Sequence, residues 1–312
     1  MHNLSKNLLE KIQVYILSRD RPDFLKECID SVLKQVDAVL EFDLIISDNS
    51  VENKVREMIL EYYSKKDFKY IKIDPPLSSK EHFDFIVSNL NSKYAVLLHD
   101  DDILHPNFIN IMSLAIREKK VVAVGCNAII FKDNILKSRK RAHIFKSSKK
   151  FDNENDFLKQ YLPGNGGNAP FPSYIYLTKY LKKVFLNSPI EGKHKDVALL
   201  SSLLNYGEIL WLEKPLMYYR VHKSNDSIVE NVPDRIRLMN YMKKKNIDKK
   251  STKFLLYRLF FWTRWIKSQE RRWSNWKSWK FRKVIISIIA KLLLLFKRKT
   301  FWMILLKRYL KT

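Results

Sequence analysis

Residues 94–106 read Tyr94-Ala95-Val96-Leu97-Leu98-His99-Asp100-Asp101-Asp102-Ile103-Leu104-His105-Pro106. The apolar run that begins this stretch is typical of a buried β-strand, and it ends directly in three consecutive aspartates. Adjacent carboxylates repel one another, and burying them without partners is costly. A hard divalent cation, Mg²⁺ or Mn²⁺, removes both penalties because it prefers oxygen ligands. The alternative is a solvated acidic turn in front of a helix that starts near Pro106.

Strand-like and helix-like patterns alternate on either side of this stretch. Short apolar runs predict strands over 14–17, 44–46, 70–73, 94–98 and 121–124. Apolar residues at helical spacing predict helices over about 24–36, 51–63, 79–90 and 106–118. This alternation predicts an α/β fold with a doubly wound, mostly parallel sheet.

Polar side chains follow several of these predicted strands at the point where each one ends. They are Ser18, Asp48, Asp74 and the triplet Asp100, Asp101 and Asp102. In open α/β sheets, ligands bind outside the carboxyl ends of the strands. The sequence therefore predicts a binding site at this edge of the sheet.

Composition limits the partners and the compartment. The chain of 312 residues carries a formal net charge of +25, which indicates an acidic partner such as nucleic acid, an anionic membrane or a phosphorylated substrate. The two cysteines, Cys28 and Cys126, lie in apolar patterns without metal-ligand spacing and predict reduced core residues. The longest apolar run, 284–296, is too short to span a bilayer. We therefore expect a protein that faces the cytosol.

The last 62 residues differ in composition from the rest. Residues 251–312 hold 17 Lys and Arg against one acid, Glu270. Six of the seven tryptophans lie there: Trp262, Trp265, Trp273, Trp276, Trp279 and Trp302. Indole rings among cations suit a membrane interface. They also suit single-stranded nucleic acid, and the segment could instead be a helical appendage or an oligomer contact.

Four short features, in order, carry a resemblance to a known family. Residues 16–22 read Ile-Leu-Ser-Arg-Asp-Arg-Pro, a predicted helix follows to Gln35, residues 47–50 read Ser-Asp-Asn-Ser, and the acid cluster ends at Pro106. Together they resemble the family 2 glycosyltransferases, more narrowly the bacterial enzymes that build surface polysaccharides, over about 14–227. The resemblance implies a GT-A fold, a nucleotide-sugar donor, Mg²⁺ or Mn²⁺, and transfer with inversion.

The resemblance also implies which residues contact the donor. Asp48 matches the acid that contacts the nucleotide base, and Ser18 and Arg19 match the first nucleotide-facing loop. Lys80 and His82 are further candidates for nucleotide contact.

The family's metal motif, Asp-x-Asp-Asp with a proline four residues later, aligns with residues 99–102. Asp101 and Asp102 then match the metal ligands. His99 replaces the first aspartate, so that either His99 or Asp100 is left for the ribose contact. His222 matches a histidine that in some relatives binds the metal or the diphosphate.

The catalytic base comes from the second half of the chain. Residues 191–200 resemble the family's Glu-Asp segment at the start of a helix, where Asp196 matches the catalytic aspartate and Lys195 replaces the acid before it. An inverting transfer needs a carboxylate beside the acceptor hydroxyl. The helix dipole alone would also favour an acid at this position.

These expectations combine into one organisation and one activity. Residues 1–230 are predicted to form the GT-A catalytic domain, with a nucleotide-binding half over about 12–130 and an acceptor half over about 131–230, and 231–312 to form a basic, Trp-rich helical tail. The resemblance implies a hexosyltransferase-type enzyme that moves a sugar from a UDP-sugar to a polyprenyl-linked glycan for O-antigen or capsule. The tail would place it peripherally on the inner face of the membrane. The alternatives are a nucleic-acid-binding protein and a non-catalytic nucleotide-sugar-binding subunit.

Overall fold

A computed structural model describes residues 9–132, 145–161, 168–185, 192–222, 232–245 and 247. Within them, one sheet contains the strands β1 (Leu9–Ser18), β2 (Phe42–Asp48), β3 (Lys69–Lys72), β4 (Ser92–His99), β5 (Ile103–Leu104), β6 (Val121–Phe131), β7 (Lys149–Phe151), β8 (Tyr174–Leu177) and β9 (Glu208–Arg220). The helices are α1 (Pro22–Leu33), α2 (Lys54–Tyr63), α3 (Ser79–Asn89), α4 (Phe108–Ile116), α5 (Glu154–Lys159), α6 (Thr178–Phe185), α7 (Lys195–Leu203) and α8 (Val232–Lys244). A 3-10 turn covers Phe171–Ser173.

The strands are ordered β3-β2-β1-β4-β8-β6-β9-β5, and β7 pairs with β9. The neighbours β3, β2, β1 and β4 are parallel, whereas β8 runs antiparallel between β4 and β6. The predicted α/β fold with its doubly wound sheet is confirmed, and each strand predicted in the first 125 residues is present. The antiparallel β8 was not predicted, because a strand of four residues leaves little periodicity to read.

Apolar side chains fill both faces of the sheet. Along β1, Tyr15 and Leu17 join one core cluster, whereas Val14 and Ile16 join the other. Successive side chains of a strand point to opposite faces, so a strand that is apolar throughout must be covered on both. Helices α1, α2 and α4 cover one face, and α3, α5, α6, α7 and α8 cover the other. Both cysteines are buried and free, as the sequence predicts.

The register in which β1 pairs with β2 and with β4 brings the polar ends of these strands together. Ser18 is paired with Asp48, and Leu17 is paired with His99, which directly precedes the acid triplet. The backbone N–H of Asp100 continues this pairing by donating to the carbonyl of Leu17 at 3.2 Å. The ends of β1, β2 and β4 therefore form one continuous polar edge.

Helix α8, which lies beyond the predicted boundary at residue 230, packs against the core of the catalytic domain. Helix α8 contributes Leu238, Tyr241 and Met242 to the same core cluster as α7, and the hydroxyl of Tyr241 lies 2.6 Å from that of Ser201. The division into 1–230 and 231–312 stays a prediction, and 251–312 lie outside the described residues. Among the helices that the structure describes, none is long and apolar enough to cross a membrane.

Two leucines offer a matched test of this core. Leu98 is fully buried in β4 next to the acid triplet, whereas Leu114 on α4 is 52% exposed. We expect Leu98→Ala to lower the free energy of unfolding by about 2–5 kcal/mol, because it leaves a cavity between β4 and its neighbours. Leu114→Ala should change it by less than about 0.5 kcal/mol. Urea denaturation followed by circular dichroism measures both, and equal effects would contradict the assignment of β4 to the core.

Candidate active site

Three consecutive carboxylates are buried at the end of β4. Asp100, Asp101 and Asp102 are 0%, 6% and 1% exposed. The solvated acidic turn that the sequence left open as an alternative is therefore wrong. Burial of three like charges requires partners, and two arginines supply them.

Arg21 is the first of these partners. Its Nη2 lies 2.5 Å from Oδ1 of Asp100, and its Nη1 lies 3.0 Å from Oδ2 of Asp101. The backbone N–H of Arg19 donates to Oδ2 of Asp100 at 3.1 Å. The loop after β1 makes these contacts by turning through Asp20, whose φ is +55°, before Pro22 begins α1. Aspartate tolerates this left-handed conformation better than most residues.

Arg220, at the end of β9, is the second partner. Its backbone N–H donates to Oδ1 of Asp102 at 3.0 Å, and its Nε donates to the carbonyl of Asp101 at 2.9 Å. Its Nη2 donates to Glu27 of α1 at 2.8 Å. The guanidinium carbon lies 4.5 Å from the ring centres of both Phe24 and Phe131. This arginine is therefore a fixed, buried part of the framework.

Burial dominates the electrostatics of the outer two carboxyls. It raises the pKa of Asp100 to about 7, with Asp101 adding to the rise and Arg21 opposing it. Burial likewise raises the pKa of Asp102 well above its usual range, and the charge of Asp101 raises it further. Ser18, also buried, lies beside Asp100 and its hydroxyl favours the ionised form of that carboxyl.

Asp101 behaves differently from its neighbours. Burial alone would raise its pKa, but His99, Arg21 and His222 outweigh burial and hold the pKa below its usual range. His222 contributes through its Nε2, which lies 2.9 Å from Oδ2 of Asp101. Asp101 is therefore the carboxylate of the triplet that stays most readily ionised.

Residues 99–102 form an acid turn, and this turn also carries a ligand set that fits a divalent cation. His99, Asp101 and Asp102 each offer one ligand atom, and these atoms lie within 4.8 Å of one another. Oδ2 of Asp102 is buried and accepts no hydrogen bond from the residues that the structure describes. A buried oxygen of this kind is stabilised by a hydrogen-bond donor or by a cation. The predicted ligands Asp101 and Asp102 are thus joined by His99, while His222 contacts Asp101 from beside them.

Asp48 is buried, and neighbouring residues donate hydrogen bonds to both of its carboxylate oxygens. Its Oδ1 accepts from the backbone N–H of Ser50 at 2.9 Å, which closes the turn after β2. Its Oδ2 accepts from the hydroxyl of Tyr70 at 2.7 Å and from Nζ of Lys72 at 3.3 Å. Both partners lie on β3, whose Lys72 is in register with Asp48. Sequence reasoning missed these two residues, although their spacing of two in a strand places them on one face.

The two candidates on α3 lie in different surroundings. Lys80 is exposed near the start of the helix. His82 is buried, with its Nε2 only 2.7 Å from the hydroxyl of Ser47 on β2. Burial lowers the pKa of His82 to about 4, so that the ring is neutral at neutral pH. His82 therefore packs α3 against the sheet.

Asp196, the predicted base, is the second residue of α7 and is half-buried. Burial raises the pKa of each of three nearby tyrosines well above its usual range, and the charge of Asp196 raises it further. They are the half-buried Tyr161 and the buried Tyr174 and Tyr176. The carboxylate therefore borders a buried tyrosine layer. Its neighbour Lys195 lies 3.7 Å from Asp84 and 3.9 Å from the ring centre of Phe185.

A row of aromatic rings connects the acid turn with the tyrosine layer. The ring centre of His99 lies 6.3 Å from those of Phe83 and Phe171, and the ring centre of Phe171 lies 6.3 Å from that of Tyr176. The charge of Asp196 in turn raises the pKa of Tyr176, so this row extends from the metal-ligand set towards the predicted base. Phe83 and Phe171 come from α3 and the 3-10 turn, far apart in the chain, and no signal in the sequence connects them.

The chain is similar to known proteins both in sequence and in structure. Residues 13–185 match the family model described as "Glycosyl transferase family 2". No curated protein matches the chain. Residues 1–349 of TarS from S. aureus are similar in structure, at 13% identity and a TM-score of 0.56, over 78% of this chain and 67% of that one. The same fragment in complex with UDP-GlcNAc gives 14% identity and a TM-score of 0.57, over 78% and 68%.

Replacing Arg220 tests whether the acid turn depends on it. We expect Arg220→Gln to lower the free energy of unfolding by about 1–3 kcal/mol, because the carbonyl of Asp101 and the half-exposed Glu27 lose a charged donor and Phe24 and Phe131 lose a buried cation. Arg117→Gln, on the exposed end of α4, removes the same charge and should change stability by less than about 0.5 kcal/mol. Chemical denaturation monitored by tryptophan fluorescence compares the two. A stability loss for Arg220→Gln no larger than that of the control would contradict the framework role.

The buried His82 predicts a pH dependence of stability. Its folded pKa of about 4 lies below the value of 6.5 for an unperturbed histidine, so the unfolded state binds the proton first. This contribution to stability is present above about pH 6.5 and is lost as the pH falls towards 4, by up to about 3 kcal/mol. We expect His82→Gln to lose less stability than the wild type between pH 7 and pH 4.5. Urea denaturation at the two pH values measures it, and parallel losses would refute a neutral, buried His82.

Proposed function

The chain belongs to glycosyl transferase family 2, since the family match covers more than half of its length, and from this membership we propose a metal-dependent, inverting transfer of a sugar from a nucleotide-sugar to a hydroxyl of a glycan. The protein is a glycosyltransferase, and the predicted GT-A fold is confirmed by its sheet and by its likeness to TarS. The observation that carries the finer proposal is the buried acid turn, in which an oxygen of Asp102 lacks a hydrogen-bond partner among the described residues.

The donor is proposed to bind along the edge formed by the ends of β1, β2 and β4. TarS has been crystallised with UDP-GlcNAc and with UDP, which supports a UDP-sugar for this chain as well. Ser18, Arg19, His99 and Asp100 adjoin the acid turn and suit contacts with the diphosphate and sugar. Asp48 is bonded to β3 and His82 to Ser47, so we propose that these two act mainly by shaping the floor of the nucleotide site.

A divalent cation, Mn²⁺ or Mg²⁺, is proposed to bind Asp101 and Asp102, with His99 or His222 completing the ligand set. When bound, the ion would neutralise charge on the departing nucleoside diphosphate. Carboxylate oxygens and imidazole nitrogen are the ligands present, and they suit Mn²⁺ well. Arg220 donates hydrogen bonds to the carboxylate of Asp102 and to the carbonyl of Asp101, and these hold the turn in position.

Asp196 is proposed to take the proton from the attacking acceptor hydroxyl. Its half-buried carboxylate lies at the far end of the aromatic row that starts at His99, so an acceptor could lie between donor and base. Direct displacement with a general base inverts the anomeric carbon and requires no covalent enzyme intermediate. The half-buried Phe83 and Phe171 would limit water in that space.

The acceptor and the location rest on the sequence. We propose a polyprenyl-linked glycan of O-antigen or capsule type, with the tail 251–312 binding an anionic membrane on its cytoplasmic face. The tail's tryptophans and cations support this because such residues favour the headgroup region. Its apolar run over 284–296 exceeds what nucleic-acid binding needs, which disfavours that alternative.

Turnover of a panel of UDP- and GDP-sugars, with and without Mn²⁺, tests the proposal. We expect metal-dependent release of nucleotide from at least one donor, and Asp196→Asn should lower kcat by about 10²- to 10⁴-fold while leaving the donor Kd within about threefold. Asp156→Asn is the matched control, because Asp156 is also an acid in the first turn of a helix, α5, but is exposed.

Different outcomes contradict different parts of the proposal. Unchanged turnover in Asp196→Asn would refute its role as base. Equal losses in Asp196→Asn and Asp156→Asn would point to a helix-dipole effect. Tight nucleotide-sugar binding without turnover of any donor would favour a non-catalytic subunit, and oligonucleotide binding without any nucleotide binding would favour a nucleic-acid-binding protein.

A further inference from the structure

The two arginines of the acid turn differ in how firmly they are held. The side chain of Arg220 is 3% exposed, contacts two aromatic rings and donates to Glu27 and to the carbonyl of Asp101. The side chain of Arg21 is 31% exposed where it pairs with the carboxylates. Arg220 is therefore held by packing on buried surfaces, whereas Arg21 is the more accessible of the two.

Arg21 pairs with a carboxylate that belongs to the metal-ligand set. Its Nη1 lies 3.0 Å from Oδ2 of Asp101, and the same oxygen lies 2.9 Å from Nε2 of His222. A carboxylate bonded to a guanidinium has less electron density to offer a cation, and the guanidinium charge repels that cation. A divalent ion and the Arg21 guanidinium therefore compete for one carboxylate.

The two arginines pair with different groups. The guanidinium of Arg220 donates to Glu27 and to the backbone carbonyl of Asp101, whereas the guanidinium of Arg21 pairs with the carboxylates of Asp100 and Asp101. If Arg21 left the triplet, a divalent ion there would replace its positive charge, and Oδ2 of Asp102 would gain the partner that it lacks among the described residues.

We propose that Arg21 is a resident counter-cation of the acid turn, that a divalent metal ion must displace it from Asp101, and that the released guanidinium then binds the donor's diphosphate. The proposal rests on the proposed function and deepens it by assigning Arg21 a positioning and gating role. Because Arg21 directly precedes α1, its backbone stays at the polar edge when its side chain moves. A guanidinium there suits bidentate contact with phosphate oxygens.

Competition predicts that removing the charge of Arg21 improves metal binding. In the full-length protein without nucleotide, we expect Arg21→Gln to bind Mn²⁺ at least about tenfold more tightly than the wild type. Arg21→Lys, which keeps the charge but cannot bridge two carboxylates, should lie between them. Arg117→Gln is the matched control: it removes the same charge from an exposed position at the end of α4, so we expect a change below about threefold. Titration of free Mn²⁺ by electron paramagnetic resonance measures all four.

Thermal unfolding supplies a second readout that also verifies folding. Without metal, Arg21→Gln should melt below the wild type because the buried carboxylates lose a cation. Saturating Mn²⁺ should then raise its Tm more than that of the wild type, since a ligand stabilises in proportion to its affinity for the folded state. UDP should strengthen Mn²⁺ binding less in Arg21→Gln than in the wild type, because the guanidinium that couples the two is gone.

The outcomes separate this inference from the function on which it rests. Equal or weaker Mn²⁺ binding by a folded Arg21→Gln, with Mn²⁺-dependent turnover in the wild type, overturns the competition and leaves the transferase intact. If neither protein binds Mn²⁺ and turnover ignores metal, both the metal dependence and the displacement are refuted. Equally tighter Mn²⁺ binding in Arg21→Gln and Arg117→Gln overturns the inference in favour of a general charge effect.

Discussion

The arrangement of this protein depends on the neutralisation of three consecutive buried carboxylates. Asp100, Asp101 and Asp102 lie at the end of a strand that is apolar on both faces, so they cannot all reach solvent. A buried charge is tolerated only with a partner of opposite charge or a bound cation. The loops around β4 are therefore organised to deliver positive charge and N–H donors to one turn.

The topology of the sheet brings these cationic side chains and N–H donors to the triplet. Strand β1 pairs directly with β4, so the loop after β1 brings Arg21 and the N–H of Arg19 to the triplet. The short β5, which follows the triplet, pairs antiparallel with β9 and brings Arg220 and His222 from more than a hundred residues away. One turn thus connects the two halves of the chain. The same contacts leave one oxygen of Asp102 without a hydrogen-bond partner in the part of the chain that the structure describes, which is what makes the turn suitable for a cation.

The sequence anticipated the features that local pattern encodes. Apolar runs predicted the first strands, and the polar residues that follow them, Ser18, Asp48 and the triplet, do share one edge of the sheet. It did not reveal that Tyr70 and Lys72 hold Asp48, or that His82 is buried against Ser47. Those contacts depend on which strand lies beside which, and residue spacing alone does not encode this. Arg21 stood inside a recognised motif, yet nothing in the motif showed that its guanidinium faces two carboxylates.

The sequence by itself determined the alternation of strands and helices, the family, and a cluster of acids that needs a cation. Hydrophobic periodicity and short ordered motifs are local properties, so they can be read before folding is known. Only the tertiary structure decided which cationic side chains lie beside those acids and how firmly each side chain is held. Arg220 is buried against two aromatic rings whereas Arg21 is partly exposed, and both facts follow from long-range strand pairing. The partners of a buried charge are chosen by distance in space, which distance along the chain does not reveal.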